Sequence, residues 1–312
     1  MVQKIGLVLS GGGGKGAYEV GVWRAMEELG LAKDIAAVSG TSVGALNAAL
    51  FAQGDLTKAE QAWLGMKPSD VLSINLRDIL AALLKGGIVV SPAITAVVKT
   101  LAMSGVFSRD GLLRIIQTYL DEETIKQRGM PCYACATQLP TFKTTYFSLQ
   151  EHRQETIEYI LLASSAIPVI FPKQIVQGKR YWDGFIRDNT PIKPLVDEGC
   201  NIIIAVMLSR SDLLPVDQYP DCKIIPIYPQ EHPGAPLSFT DSARKMQHGY
   251  NDAMAVLAPV FDLVEVNYQY SVELLKYEKQ HDEFESFMQQ RTENKNNLIA
   301  SKQNLLKEMN QW

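Results

Sequence analysis

Two short apolar runs, each followed at once by a glycine-containing turn and a helical pattern, constrain this chain more than any other feature. Residues 4–10 (KIGLVLS) have the length and content of a buried strand, and Gly11 to Gly14 follow directly. A helical pattern then runs from about residue 17 to residue 29 and stops at Gly30. Residues 35–39 (IAAVS) read as a second buried strand. It meets Gly40-Thr41-Ser42-Val43-Gly44 and a second helix, which ends at Gly54. Two strand–turn–helix units in succession open an α/β fold with a mostly parallel sheet.

The rest of the chain extends that pattern. Residues 56–121 read as mainly helical, with breaks at Gly86-Gly87 and Gly105. The apolar stretch 76–103 suits core helices covering the sheet, or a lid or interfacial face that meets acyl chains. Strands are expected at 132–137, 144–148, 173–176, 180–182, 201–207 and 223–227, and a helix at about 155–164. Gln177-Gly178 fits a two-residue hairpin turn. From residue 241 the pattern is helical, and residues 268–312 form a polar, charged tail. The domain reading is therefore 1–267 for the main domain and 268–312 for a C-terminal helical extension.

Composition narrows the class. Of 312 residues, 46% are hydrophobic and 21% charged, an ordinary globular balance. Thirty basic residues against thirty-four acidic ones give a net charge of −4, which argues against a partner such as nucleic acid. Four cysteines are too few for a disulfide scaffold. Cys132 and Cys135 form a C-x-x-C without a second ligand pair, so all four read as thiols in a reducing compartment. The uncharged stretch 35–54 has the length of a membrane span, but Ser39, Gly40, Thr41, Ser42, Gly44, Asn47 and Gln53 interrupt it. With no signal-peptide pattern either, a cytoplasmic location is expected, with transient membrane contact through the 76–103 region.

The chemistry concentrates in three places. Gly40-x-Ser42-x-Gly44 lies between a predicted strand and a predicted helix, the context of a nucleophile elbow. The tight turn lifts the Ser42 hydroxyl out of the sheet, with Thr41 and Val43 beside it. The run Gly11-Gly12-Gly13-Gly14-Lys15-Gly16 admits three readings. A P-loop fails, because Leu9 and Gly16 stand where Gly and Ser or Thr are needed. A dinucleotide fingerprint is present in Gly11, Gly13 and Gly16, but the second strand ends in Ser39-Gly40 rather than an acid. An oxyanion hole built from backbone N–H groups explains why both glycine turns follow adjacent strands. For the base, His232 and His248 have the late position of a histidine triad. Asp183, in Tyr181-Trp182-Asp183-Gly184-Phe185, is the other candidate, since a buried carboxylate becomes a stronger base. A surface Asp-Gly turn is the plain alternative for it. No H-E-x-x-H or EF-hand pattern supplies a metal site.

Taken in order, Gly11-Gly12-Gly13-x-Lys15-Gly16, Gly40-x-Ser42-x-Gly44 and Asp183-Gly184 resemble the three signatures of patatin-like phospholipases. Ala163-Ser164-Ser165-Ala166-Ile167-Pro168, Phe171-Pro172, Asn189-x-Pro191 and Gly249-Tyr250-x-Asp252-Ala253 fit the same family, so the resemblance covers roughly residues 4–260. It departs at Phe185, where the family usually has Gly or Ala. The resemblance implies a three-layer α/β/α fold with a mostly parallel central sheet. It implies a lipid acyl hydrolase without cofactor or metal, acting on a phospholipid or other acyl-ester lipid. Ser42 would be the nucleophile, Asp183 the base, and the loop Gly11 to Gly16 the oxyanion donors. Two other classes stay open: a histidine-assisted serine esterase or acyltransferase, and a non-enzymatic module that binds a nucleotide or membrane through the glycine loop.

Overall fold

A computed structural model describes residues 3–66, 109–168, 171–236 and 238–259, and residues 286, 288–291 and 293 of the tail. The chain divides into two compact units, Met1–Val256 and Leu257–Trp312. In the second, residues 286, 288–291 and 293 are helical and exposed. The apolar stretch 76–103 lies outside the described residues.

The first unit is built on one sheet. Its strands are β1 (Ile5–Leu9), β2 (Ile35–Thr41), β3 (Cys132–Leu139), β4 (Lys143–Ser148), β5 (Gln174–Val176), β6 (Lys179–Asp183), β7 (Ile202–Val206) and β8 (Lys223–Ile227). The order is β5-β6-β3-β2-β1-β7-β8, with β4 also paired to β3. β3, β2, β1, β7 and β8 run parallel, while β4, β5 and β6 add antiparallel pairs. Every expected strand is present. The expected hairpin turn is too: Gln177 and Gly178 have φ of 49° and 76°, both left-handed as a type I′ turn requires.

Alternation along β1 explains the layers. Leu7 and Leu9 face α1 (Ala17–Glu28) and α2 (Val43–Gln53), among Val20, Trp23, Met26 and Phe51. Val8 points the other way, into a cluster with Ile192, Leu195, Ile203 and Met207 beside α7 (Lys193–Asp197). Helices α3 (Leu56–Gly65), α4 (Arg109–Tyr119), α5 (Glu122–Arg128) and α6 (Gln154–Ser164) complete the described helices before α7. A further helix starts at residue 242 (α8), and its part within the first unit, residues 242–256, closes on α1.

The α1–α8 contact is made backbone to backbone. A Cβ on Gly21 would stand 1.9 Å from the Met246 carbonyl oxygen, and one on Gly249 would stand 2.0 Å from that of Tyr18. Two reciprocal glycines thus let the helices touch, and Tyr18 Oη donates to Asp252 Oδ2 at 2.9 Å beside them. Gly249→Ala forces the helices apart and is expected to cost about 1–3 kcal/mol of stability, measured by urea unfolding. An unchanged midpoint would contradict this packing.

Candidate active site

Strand register brings the site together. On one edge, β3 pairs with β4 through Tyr133 to Gln138. On its other edge it pairs first with β2, ending at Thr41↔Cys135, and then with β6, starting at Ala136↔Asp183. β2 is parallel to β3 and β6 antiparallel. The C-terminal ends of β2 and β6 therefore meet head to head, and Ser42 and Asp183 stand at the meeting point.

The turn at Ser42 is strained. Its φ of 56° and ψ of −123° are rarely adopted by a non-glycine residue, and this geometry places it at the start of α2. Gly44 allows the turn to close, since a Cβ there would lie 2.2 Å from the Leu9 carbonyl oxygen. The Ser42 N–H donates to Ser164 Oγ at 2.9 Å, and Ser164 Oγ donates to the Cys135 carbonyl at 2.6 Å. Thr41 Oγ1 donates to the Asp188 carbonyl at 2.8 Å. Ser164 thus ties the elbow to β3 and the end of α6. No local sequence signal could assign it that task, because its partner lies 122 positions away.

Asp183 is wholly buried. Its N–H donates to the Ala166 carbonyl, its carbonyl accepts from Thr137 Oγ1, and its Oδ1 accepts from the Phe185 N–H at 2.9 Å. Its Oδ2 is buried without a hydrogen-bond partner among the described residues. Burial raises its pKa to about 7, against opposing pulls from the Phe185 N–H and the nearby Ser42 hydroxyl. The Ser42 hydroxyl lowers that pKa as a hydrogen-bonding group, while no hydrogen bond of ordinary geometry reaches Oδ2 among the described residues. Phe185 is 49% exposed, so its ring leaves the site while its backbone serves Asp183.

The glycine loop faces Ser42 and is anchored at most of its positions. Gly11 donates to the Asn189 carbonyl and Gly14 to that of Pro236; Lys15 and Gly16 donate back to Gly12 and Gly13. The N–H groups of Gly12 and Gly13 take no acceptor among the described residues. Two buried lysines brace the loop through carbonyls: Lys15 Nζ donates to Leu208, and Lys245 Nζ donates to Gly14 and Ser238. Burial lowers the pKa of both. The loop's exit is pinned by Asn47, whose Nδ2 donates to the Gly16 carbonyl and Glu19 Oε2 while its Oδ1 accepts from Trp63 Nε1.

A cavity of about 70 Å³ opens on Gly13 and Ser42. Leu46, Leu50, Trp63, Leu112, Ile116 and Phe239 are among its walls, and no charged side chain lines it among the described residues. The alternative bases stand elsewhere. His248 pairs with Glu231 at 3.5 Å, and His232 Nδ1 accepts from the Gly234 N–H; neither lines this cavity.

The described residues thus form an α/β sheet flanked by helices on both faces, with a strained serine at its C-terminal edge beside a buried carboxylate. The chain belongs to the patatin-like phospholipase family: the sequence model described as "Patatin-like phospholipase" matches residues 7–196, more than half of it. Among curated relatives, it is 27% identical over 212 residues to an uncharacterized NTE family protein of Mycobacterium tuberculosis, covering 68% of this chain and 51% of that protein. It is 25% identical over 222 residues to patatin-like phospholipase domain-containing protein 7 of Rattus norvegicus, covering 70% and 14%. It is also 26% identical over 210 residues to lysophospholipase NTE1 of Cryptococcus neoformans, covering 67% and 11%. The chain thus spans about half the length of the mycobacterial relative and much less of the other two. The crystal structure of VipD from Legionella pneumophila shares the fold, with a TM-score of 0.50 at 17% identity over 83% of this chain and 67% of that one. Among the described residues, no helix is long and apolar enough to cross a membrane.

The buried carboxylate has a consequence for stability. Native Asp183 keeps its proton up to about pH 7, whereas its ordinary value is 3.8. Between those values the native state binds more protons than the unfolded chain, so this group lowers stability as pH rises from about 4 to 7. Asp183→Asn removes that loss. Its melting temperature is expected to exceed the parent's at pH 8, with the gap shrinking toward pH 5. A gap that is constant with pH would contradict a raised Asp183 pKa.

Proposed function

We propose that this chain is a lipid acyl hydrolase that works through a Ser42–Asp183 dyad. The observation that carries the reading is the buried Oδ2 of Asp183 next to the strained Ser42, which lines an apolar cavity. The relatives named phospholipase and lysophospholipase support a phospholipid or lysophospholipid ester as substrate.

The acyl chain enters the apolar cavity and presents its ester carbonyl to Ser42. Ser42 Oγ forms a bond to the carbonyl carbon while its proton passes to Asp183 Oδ2. The carbonyl oxygen becomes an oxyanion, taken by the uncommitted N–H groups of Gly12 and Gly13. Gly11, Gly14, Lys15 and Gly16 hold those two donors in place. The intermediate collapses, the C–O bond to the glycerol side breaks, and the leaving alkoxide takes the proton from Asp183. Water then gives its proton to Asp183 and attacks the acyl-Ser42 carbon. Ser42 leaves with that proton, and a fatty acid is released. A base with a pKa near 7 is half ionised near neutrality, which suits proton transfer in both directions.

Steady-state hydrolysis of a lysophospholipid and of a soluble short-chain ester tests this directly. The value of kcat/KM is expected to rise with pH and reach half its plateau near pH 7, as Asp183 ionises. Ser42→Ala and Asp183→Asn are each expected to lower kcat by at least about 1000-fold, and His248→Ala to leave it unchanged. Loss of activity in a folded His248→Ala variant would instead favour a histidine base.

A further inference from the structure

We propose that the two hairpin tips beside the active site form a docking face for an anionic phospholipid bilayer. This rests on the lipid hydrolase reading above. The register fixes where the tips stand. β3 continues past the level of Asp183, from Ala136 to Leu139, before turning through residues 140–142 into β4. β6 runs back toward Asp183 from the Gln177-Gly178 turn, so Lys179 begins about 13 Å beyond the carboxylate along the strand. Both turns thus project from the C-terminal edge of the parallel strands, the edge that carries Ser42.

Their surface is apolar and basic together. Phe142, Ile175 and Phe185 are 44%, 58% and 49% exposed. Phe142 packs against Trp182, with ring centroids 6.1 Å apart, which holds the two rings as one patch. Lys143, Lys179 and Arg180 on the hairpins, Lys173 just before β5 and Arg187 just after the turn that follows β6 are all exposed. Residues 140–148 and 171–187 contain one acid, Asp183, and it is buried. A chain of net charge −4 has therefore placed five exposed cations and no exposed acid on the segments that flank its active site. Aromatic rings settle at the bilayer interface, and Lys or Arg next to it pair with lipid phosphates. The face would hold the sheet edge that carries Ser42 against the surface from which its substrate comes.

The test is vesicle co-sedimentation with the full chain carrying Ser42→Ala, so that no lipid is consumed. Binding to mixed phosphatidylglycerol–phosphatidylcholine vesicles is expected, weakening with added salt, and little binding to phosphatidylcholine alone. Lys179→Glu/Arg180→Glu is expected to lower affinity at least about tenfold. Lys143→Glu/Lys173→Glu, one on β4 and one just before β5, is expected to do the same. Lys33→Glu/Lys223→Glu makes the same charge change at the opposite edge of the sheet and is expected to bind like the parent. Phe142→Asn, which suits the left-handed φ of 52°, removes a ring and is expected to weaken binding in all salt conditions. Equal loss in the control pair, or no loss in either hairpin pair, would overturn the proposal. A concentration-dependent dimer abolished by the same hairpin variants would also overturn it, in favour of a second copy on this face. In an otherwise native chain, the hairpin variants are expected to hydrolyse the soluble ester at the parent rate. If vesicle binding behaves as expected but no ester is cleaved, the docking face stands and the hydrolase reading fails.

Discussion

One edge of β3 is shared by two strands that run in opposite directions, and the site depends on that arrangement. β2 pairs with the first half of β3 and stops; β6 pairs with the second half and comes to meet it. An ordinary parallel sheet would leave Ser42 facing a loop. Here it faces the end of another strand, whose last residue is held by hydrogen bonds to Ala166, Thr137 and Phe185. The carboxylate is fixed by the sheet itself, so two groups 141 positions apart in sequence come together.

Burial then sets the chemistry. Among the described residues Asp183 has no cationic partner to hold its pKa down, and the two hydrogen-bonding groups near it only partly offset desolvation. Elsewhere such a group would be a defect, because a buried acceptor without a partner costs stability. Beside a serine such a group is placed to accept a proton, the role proposed for it here. Two buried lysines at the glycine loop, Lys15 and Lys245, are occupied with main-chain carbonyls, so they stiffen the loop and add positive charge behind it. Stability is given up at Asp183 and Ser42 and recovered in the surrounding sheet and helices, the usual trade in an active site.

Much of this was legible in the sequence, for local reasons. The first two strands, their helices, the Ser42 turn and the Gln177-Gly178 hairpin follow from short-range patterns, and the structure places each within a residue or two. The order of the three motifs carried the family. What could not be read is non-local. Nothing in residues 179–183 says that β6 caps β2 on the edge of β3. The glycine loop reads as six equivalent donors, yet among the described residues contacts with Asn189 and Pro236 and the loop's own turn leave Gly12 and Gly13 uncommitted. Ser164 matters through partners on β2 and β3. Phe185 reads as a departure from the family's small residue, and the short turn of Gly184–Ile186 leaves its ring half exposed.

The central claim is that Ser42 is activated by Asp183, and active-site labelling tests it most directly. The folded chain is treated with a fluorophosphonate and the adduct located by peptide mass mapping, alongside Asp183→Asn. The account predicts a single adduct on Ser42, formed at least about 100-fold more slowly in the Asp183 variant. An adduct on another residue, or a labelling rate unaffected by Asp183→Asn, would contradict it.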